Sequence, residues 1–211
     1  MSKWSKDDRA LMKADKVMRR LMEERGPIDP ATDRRGSRKD AYEALARAIV
    51  GQQLSTKAAA SIWNKLLDQF DGKPPTPEQL LKRRADQLRK AGLSRSKVEF
   101  LKDLAKRIKD GRLDLGRLKD LSDEDVIAEL IEVKGIGRWT AEMFLIFHLA
   151  RPDVTSAGDL GIRRAVQIAH GLDDLPGPED FERISDGWRP HRTLASLYLW
   201  RSLDNTPVEG K

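Results

Sequence analysis

Residues 133–140 read VKGIGRWT, in which two glycines bracket one apolar residue between two stretches of helical periodicity. Residues 122–131 begin with Ser-Asp-Glu-Asp, a helix-capping pattern, and continue with apolar residues at helical spacing. Residues 138–149 carry a second apolar face made by Ala141, Phe144, Leu145 and Leu149. Glycine suits a sharp turn because it accepts positive φ and permits close approach of another backbone. The stretch therefore predicts a helix, a tight hairpin and a second helix.

The turn between these helices is a candidate anion site. The first amide groups of a helix lack intrahelical partners and attract negative charge. We therefore expect a phosphate at the turn made by Gly135 and Gly137, with Lys134 as a further candidate contact. The alternative is an ordinary connection between two antiparallel helices, which a glycine pair of this kind also makes.

Helical periodicity covers most of the remaining chain, and strand-like alternation is missing throughout. Residues 26–36, which contain glycine and proline, are the clearest linker. The sequence predicts an all-α fold with further helices at residues 8–25, 39–50, 56–70, 76–82, 94–109, 160–169, 178–184 and 192–203.

Composition narrows the class of protein. The 211 residues suffice for one large or two small domains, and 40 basic against 34 acidic residues give a net charge of +6. This excess favours an anionic partner, although solvated helix surfaces explain it equally well. The absence of cysteine excludes disulfides, thiolate zinc sites and a cysteine-ligated iron–sulfur cluster, and the three histidines are scattered. With neither an apolar span nor a signal-peptide pattern, we expect a soluble intracellular protein without a membrane partner.

Four further short sequence stretches, and an aspartate at the start of the helix that follows the hairpin, accompany the hairpin pattern. Taken in order, they make the chain resemble the helix-hairpin-helix superfamily of DNA glycosylases over residues 40–203. It is most similar to the alkylbase branch, of the 3-methyladenine DNA glycosylase II type. The stretches are ARAIVGQQLS at residues 46–55, GLSRSK at 92–97, WRP at 188–190 and LW at 199–200.

The resemblance implies two helical subdomains that flank a DNA-binding cleft. Residues 1–36 would form an N-terminal helix and linker that pack with the C-terminal helices. Residues 37–150 would form a central subdomain ending in the hairpin, and residues 151–211 would carry the catalytic loop and the C-terminal helices.

Asp159 matches the position of the catalytic aspartate in this superfamily. A buried carboxylate can stabilise the positive charge that develops on the sugar and can orient or deprotonate the attacking water. The alternative role of Asp159 is that of a helix N-cap, and the two roles are compatible. The nearest competing acid, Asp153, is expected to shape the connecting loop.

The resemblance also implies a base pocket. Trp139 stands where bifunctional members of the superfamily carry a lysine nucleophile, which indicates direct hydrolysis by water. Trp139 and Trp200 match aromatic pocket positions, and their faces can attract a cationic alkylated purine. Met143 replaces an aromatic pocket residue, which leaves the substrate range open. Packing in a protein core is the alternative role of each tryptophan.

Other residues match positions that contact DNA. Gln53 matches the wedge that fills the gap left by a flipped base, with Gln52 and Leu54 as neighbours in register. The alternative for this stretch is a polar helix C-terminus that packs against the hairpin subdomain. Ser94 and Lys97 are candidate phosphate contacts, although helix capping explains the serine equally well. The resemblance further implies a monovalent cation, sodium or potassium, on the backbone carbonyls of Ile131, Val133 and Ile136.

We therefore expect a monomeric, monofunctional DNA glycosylase that removes alkylated purines such as 3-methyladenine and 7-methylguanine from double-stranded DNA. It would work in the bacterial cytoplasm, at the nucleoid, or in a eukaryotic nucleus. One alternative is a glycosylase for deaminated or oxidised bases on the same scaffold. Another is a non-catalytic module that uses the hairpin only to bind DNA, a role that needs neither Asp159 nor the two tryptophans.

Overall fold

The computed structural model describes residues 3–29 and 40–203, and these residues confirm the all-helical fold. No strand occurs in the described ranges, and 3-10 helices lie at Asp68–Phe70 and Leu118–Asp120. The α-helices of these ranges are α1 (Lys6–Ala14), α2 (Lys16–Arg25), α3 (Ala41–Gly51), α4 (Thr56–Leu67), α5 (Pro77–Lys82), α6 (Ala85–Arg89), α7 (Arg95–Lys109), α8 (Asp123–Ile131), α9 (Arg138–Phe147), α10 (Leu160–His170), α11 (Pro178–Asp186) and α12 (Arg192–Leu203).

The single helix predicted over residues 8–25 is wrong, because the chain forms α1 and α2 with a break at Asp15. Asp15 is extended, and its N–H donates to the Leu11 carbonyl at the end of α1. Its carboxylate then accepts hydrogen bonds from the backbone N–H groups of Val17 and Met18 and caps α2. The indole Nε1–H of Trp188 donates to the same carboxylate over 2.7 Å. One side chain therefore starts a helix and ties it to a distant part of the chain.

The chain divides into two compact units, and the division falls inside α9, between Phe144 and Leu145. Unit 1 comprises the described parts of Met1–Ser37 and Leu145–Lys211, and unit 2 comprises the described part of Arg38–Phe144. Of the linker predicted over residues 26–36, residues 30–36 lie outside the described ranges. No helix within these ranges is long and apolar enough to cross a membrane.

Unit 1 has a core made by α1 and α2 together with α10, α11 and α12. Residues 193–199 of α12 are all buried, so α12 is the central helix of this unit. The buried Asp8 carboxylate accepts a hydrogen bond from the Tyr198 hydroxyl, which itself accepts one from the Ile28 N–H. The apolar core includes Leu11, Met18, Met22, Ile162, Val166, Phe181 and Trp188.

In unit 2, α7 is the helix against which α3, α5 and α6 pack. Its apolar stripe has the helical spacing seen in the sequence and consists of the buried residues Val98, Leu101, Leu104 and Ala105. Burial of such a stripe stabilises a helix far more than local propensity does. The polar residues at the start of α7 contact two loops of the same unit, which form part of the candidate site.

Candidate functional site

Asp159 lies at the start of α10 in unit 1. Its side chain caps the helix, since Oδ1 accepts a hydrogen bond from the Ile162 N–H over 2.7 Å. The same oxygen accepts one from the Trp200 Nε1–H over 3.2 Å. The residue is only 8 % exposed. The structure thus gives Asp159 the N-cap role and also places its carboxylate at a helix N-terminus, where negative charge is favoured.

Side chains on one face of α12 hold the loop at residues 151–159 that leads to Asp159. Arg192 forms an ion pair with Asp153, with 2.8 Å between Nε and Oδ1. The hydroxyl of Thr193 accepts from the Val154 N–H and donates to the Arg151 carbonyl. The loop is therefore positioned by the helix that carries Trp200. The α12 residues that contact it are Arg192, Thr193, Ser196 and Trp200.

Asp153 has the structural role that its loop position predicted. Burial alone would raise the pKa of its carboxyl, but hydrogen bonds and charge from Arg192, with the charge of Arg189, lower that pKa. Arg189 contacts Asp153 over 2.8 Å. The carboxylate is thus committed to two guanidinium groups, which leaves Asp159 as the stronger catalytic candidate of the two acids.

Trp200 is half-buried and stacks on Phe147, with 5.4 Å between ring centroids and 29° between planes. The stacking on Phe147 agrees with the alternative role of Trp200, which is packing within the protein. The contact of Trp200 with a flipped base stays a prediction. Gly161 lies close by. A Cβ on Gly161 would lie 3.1 Å from Asp159 Oδ1 and 3.8 Å from Trp200 Cδ1. The missing side chain leaves room for the carboxylate and the indole, a requirement that the sequence pattern did not indicate.

The hairpin turn, residues 132–137, joins α8 to α9 in unit 2. Gly135 has φ +80°, and a Cβ there would lie 2.1 Å from Cδ2 of Phe100 on α7. Gly137 lacks a positive φ, and a Cβ there would meet no heavy atom of the described residues within 4 Å. Of the two glycines in this turn, only Gly135 therefore has the positive φ that glycine accepts. Gly135 is required by the fold, whereas the space beside Gly137 is open.

Two carboxylates of α7 hold Lys134. The Lys134 N–H donates to Asp103 Oδ2 over 3.0 Å, and its ammonium lies 2.6 Å from Glu99 Oε1 in an exposed ion pair. The hydrogen bond and charge of Glu99 raise the pKa of Lys134. Burial alone would raise the pKa of Asp103, but the bonds from Lys134 and Arg107 lower it. The predicted phosphate contact of Lys134 would require this ammonium to leave or share Glu99.

The first two turns of α9 carry the two other predicted pocket residues. Trp139 is 46 % exposed, and Met143 lies four positions later on the same helical face and is half-buried. The exposure of Trp139 disfavours core packing as its role. The neighbouring Arg138 pairs with Glu124 and Glu142, at 2.7 Å and 3.1 Å.

The wedge turn, residues 52–54, leaves the end of α3. Gln53 is exposed and has φ +57°, a conformation that few non-glycine residues adopt. Lys97 donates from Nζ to the carbonyls of Val50 and Gln52, each over 2.8 Å. Ser94 accepts from the Lys97 N–H and caps α7. Lys97 and Ser94 therefore have structural partners, and their contacts with phosphate stay predictions.

Gln52 lies one position before Gln53, the best match to the wedge position, and has a different role in the structure. Its Nε2–H donates to the Gly135 carbonyl in the hairpin turn over 2.6 Å. Burial lowers the pKa of Lys97, whose ammonium binds the same turn. The contacts of Gln52 and Lys97 span long sequence separations, so the sequence did not indicate the individual partners of these side chains.

The carbonyls of Ile131, Val133 and Ile136 are of the oxygen type that sodium and potassium accept. The Val133 carbonyl accepts the Ile136 N–H over 3.0 Å and retains a second lone pair for a cation. In residues 3–29 and 40–203, no group of three or more His, Asp or Glu side chains is arranged to hold a metal ion. The cation site stays a prediction.

Comparison with known proteins gives concordant matches. The family model described as HhH-GPD superfamily base excision DNA repair protein matches residues 46–190. DNA-3-methyladenine glycosylase 1 of Schizosaccharomyces pombe is 37% identical over 190 residues, which are 89% of this chain and 82% of the relative.

Two solved structures are similar over nearly the whole chain. A DNA-3-methyladenine glycosidase from Bacillus halodurans has a TM-score of 0.86 at 32% identity, covering 97% of this chain and 92% of the other. The S. pombe 3-methyladenine DNA glycosylase in complex with abasic DNA also has a TM-score of 0.86, at 35% identity, covering 98% and 100%.

Proposed function

We propose, because this chain belongs to the HhH-GPD superfamily of base excision DNA repair proteins, that it is a DNA glycosylase acting on alkylated purines. The observation that carries the proposal is the carboxylate of Asp159, which is buried at the start of α10 and held by Ile162 and Trp200. The names of its relatives, which specify 3-methyladenine, support this substrate class. The abasic DNA in the S. pombe complex supports binding of DNA by this chain.

The reaction follows from the chemistry of a carboxylate beside a sugar. The enzyme must first extrude the nucleotide, because a stacked base is inaccessible. Cleavage of the bond between C1′ and the purine nitrogen then leaves positive charge on the sugar, which the Asp159 carboxylate stabilises. A water oxygen bonds to C1′ and its proton passes to the carboxylate. The cationic purine leaves as a neutral base, and an abasic site with an intact backbone remains.

The remaining residues have supporting roles in this proposal. Trp139 would offer its exposed ring to the flipped purine, with Met143 on the same face of α9. Gln53 would fill the vacated space in the duplex, and the amides after Gly137 would bind a phosphate. A sodium or potassium ion on the carbonyls of Ile131, Val133 and Ile136 would add positive charge beside that phosphate. We further propose that the protein acts as a monomer on double-stranded DNA, at the bacterial nucleoid or in a eukaryotic nucleus.

Base release from methylated DNA tests the function. Incubation with duplex treated with a methylating agent is expected to liberate 3-methyladenine and 7-methylguanine, identified by chromatography with mass spectrometry. Undamaged duplex is the control and is expected to release no base. Release of uracil or 8-oxoguanine from the matching substrates, without release of methylated purines, would contradict the proposed substrate class and favour a different glycosylase specificity.

We predict that the enzyme forms no Schiff base with the sugar. The lysine position of the bifunctional enzymes is occupied by Trp139, and the nearby Lys134 ammonium is paired with Glu99. Because this pairing raises the pKa of Lys134, even less of its amine is unprotonated and nucleophilic at neutral pH. Borohydride added during turnover should therefore trap no covalent complex on a denaturing gel. A bifunctional glycosylase serves as the positive control, and a trapped complex of this protein would overturn the hydrolytic mechanism.

A further inference from the structure

The wedge turn has a backbone that needs support from its surroundings. Gln53 is a non-glycine residue with φ +57°, and its side chain is exposed. Such a conformation persists in a fold when neighbouring contacts hold it. The turn also ends α3, whose last carbonyl groups lack intrahelical partners. The side chains that donate hydrogen bonds to these carbonyl groups therefore help to hold the backbone conformation of Gln53.

Two side chains hold the wedge turn through hydrogen bonds. The Lys97 ammonium binds the carbonyls of Val50 and Gln52, which places positive charge at the C-terminal end of α3. The Gln52 amide nitrogen reaches the Gly135 carbonyl over 2.6 Å. The side chain of Gln52 is thereby committed to the protein, so of the two glutamines the exposed Gln53 is the one whose side chain can enter a duplex.

The hydrogen bond from Gln52 fixes one peptide group of the hairpin turn. The carbonyl of Gly135 and the N–H of Ile136 belong to the same peptide group. Gln52 binds that carbonyl, and the Val133 carbonyl accepts that N–H over 3.0 Å. The next residue, Gly137, directly precedes α9 and the amides proposed to bind phosphate. The two turns are therefore joined at a peptide group that lies close in sequence to the proposed phosphate site.

We propose that Gln52 is a positioning residue that joins the wedge turn to the hairpin turn. Its hydrogen bond keeps the turn that carries Gln53 in a fixed position relative to the turn that would bind a phosphate. This inference rests on the proposed glycosylase function. Gln52 acts through Gln53 and does not contact the reacting atoms. Its contribution should therefore depend on how firmly the damaged base is paired, because a wedge matters most when a stacked pair must be opened.

The experiment compares Gln52→Met with wild type on two duplexes. In one the alkylated purine is fully paired, and in the other it lies opposite an abasic-site analogue. We expect Gln52→Met to slow single-turnover excision about fivefold on the paired duplex and to stay within about twofold of wild type on the weakened one. Affinity for undamaged DNA should stay unchanged.

Gln69→Met is the matched control, because Gln69 Nε2 also donates to a backbone carbonyl, that of Gln87, over 3.0 Å within unit 2. It should excise both substrates at the wild-type rate. Gln52→Asn keeps a polar amide but is too short to make the bond, and it should reproduce the effect of Gln52→Met if that variant folds poorly. Circular dichroism checks folding of all three.

The positioning role of Gln52 and the glycosylase function would be contradicted by different results. Equal slowing of Gln52→Met and Gln52→Asn on both duplexes would place Gln52 in the chemical step and overturn the positioning role. Wild-type rates for both variants on both duplexes would also overturn it. If wild type itself released no base from either duplex, the glycosylase function would fail and the inference would fall with it.

Discussion

Asp159→Asn should lower the single-turnover rate of base release by about two orders of magnitude or more, while affinity for DNA stays close to that of wild type. Such a loss corresponds to removal of roughly 3 kcal/mol or more of electrostatic stabilisation. Asparagine is as good an N-cap as aspartate, so the bond to the Ile162 N–H can persist. The substitution therefore removes the charge and leaves the start of α10 intact.

A second N-cap aspartate provides the control for this experiment. Asp40 caps α3 through a 2.7 Å bond from the Glu43 N–H, and it lies in unit 2. Asp40→Asn makes the same chemical change at the start of another helix and should leave base release unchanged. If Asp159→Asn released base within about threefold of the wild-type rate, Asp159 would lose its catalytic assignment.

Gly137→Val should weaken binding to damaged and undamaged duplexes alike, by about tenfold or more, which corresponds to about 1.4 kcal/mol. A Cβ at this position meets no described atom within 4 Å in the free protein, so the added side chain is expected to clash with DNA and not with the fold. A phosphate contact positions the protein without selecting a base, so the losses should be parallel. Fluorescence anisotropy over a salt series measures them.

Gly135→Ala gives the contrasting result for the same turn. Its φ of +80° and the 2.1 Å approach of a Cβ to Phe100 mean that even a methyl group must displace the ring or the turn. We expect a clear fall in melting temperature for this variant and a melting temperature close to wild type for Gly137→Val. A folded Gly137→Val protein with wild-type affinity across the salt series would make the hairpin an ordinary helix connection.

Local patterns were sufficient to predict most of the helices and the hairpin. Capping residues such as Ser122 and Asp159 start helices that the periodicity had indicated. The break at Asp15 was missed because apolar spacing continues across it, and its side chain is bound by Trp188, far along the chain. Helix α6, at Ala85–Arg89, was missed because five residues are too few to establish a period.

The contacts that organise the candidate site join residues far apart in the sequence, so local patterns do not predict them. Resemblance supplied Asp159 and Gln53 as candidates, but it did not indicate which side chains hold them. Gln52 binds Gly135, and Trp200 binds Asp159, across long separations that depend on the folded chain. The requirement for glycine at position 135 likewise depends on Phe100, which sequence spacing alone does not place beneath the turn.

The discontinuous make-up of unit 1 has a consequence for synthesis of the protein. Its core combines Leu11 and Met22 with Phe181 and Trp188, whereas Arg38–Phe144 lies between them in the chain. On the ribosome, unit 2 is complete before α10, α11 and α12 have been made. The apolar faces of α1 and α2 therefore lack their packing partners during the time in which unit 2 can fold. The nascent chain exposes methionine and leucine side chains during this interval, when a chaperone that binds such surfaces would have its best opportunity to act.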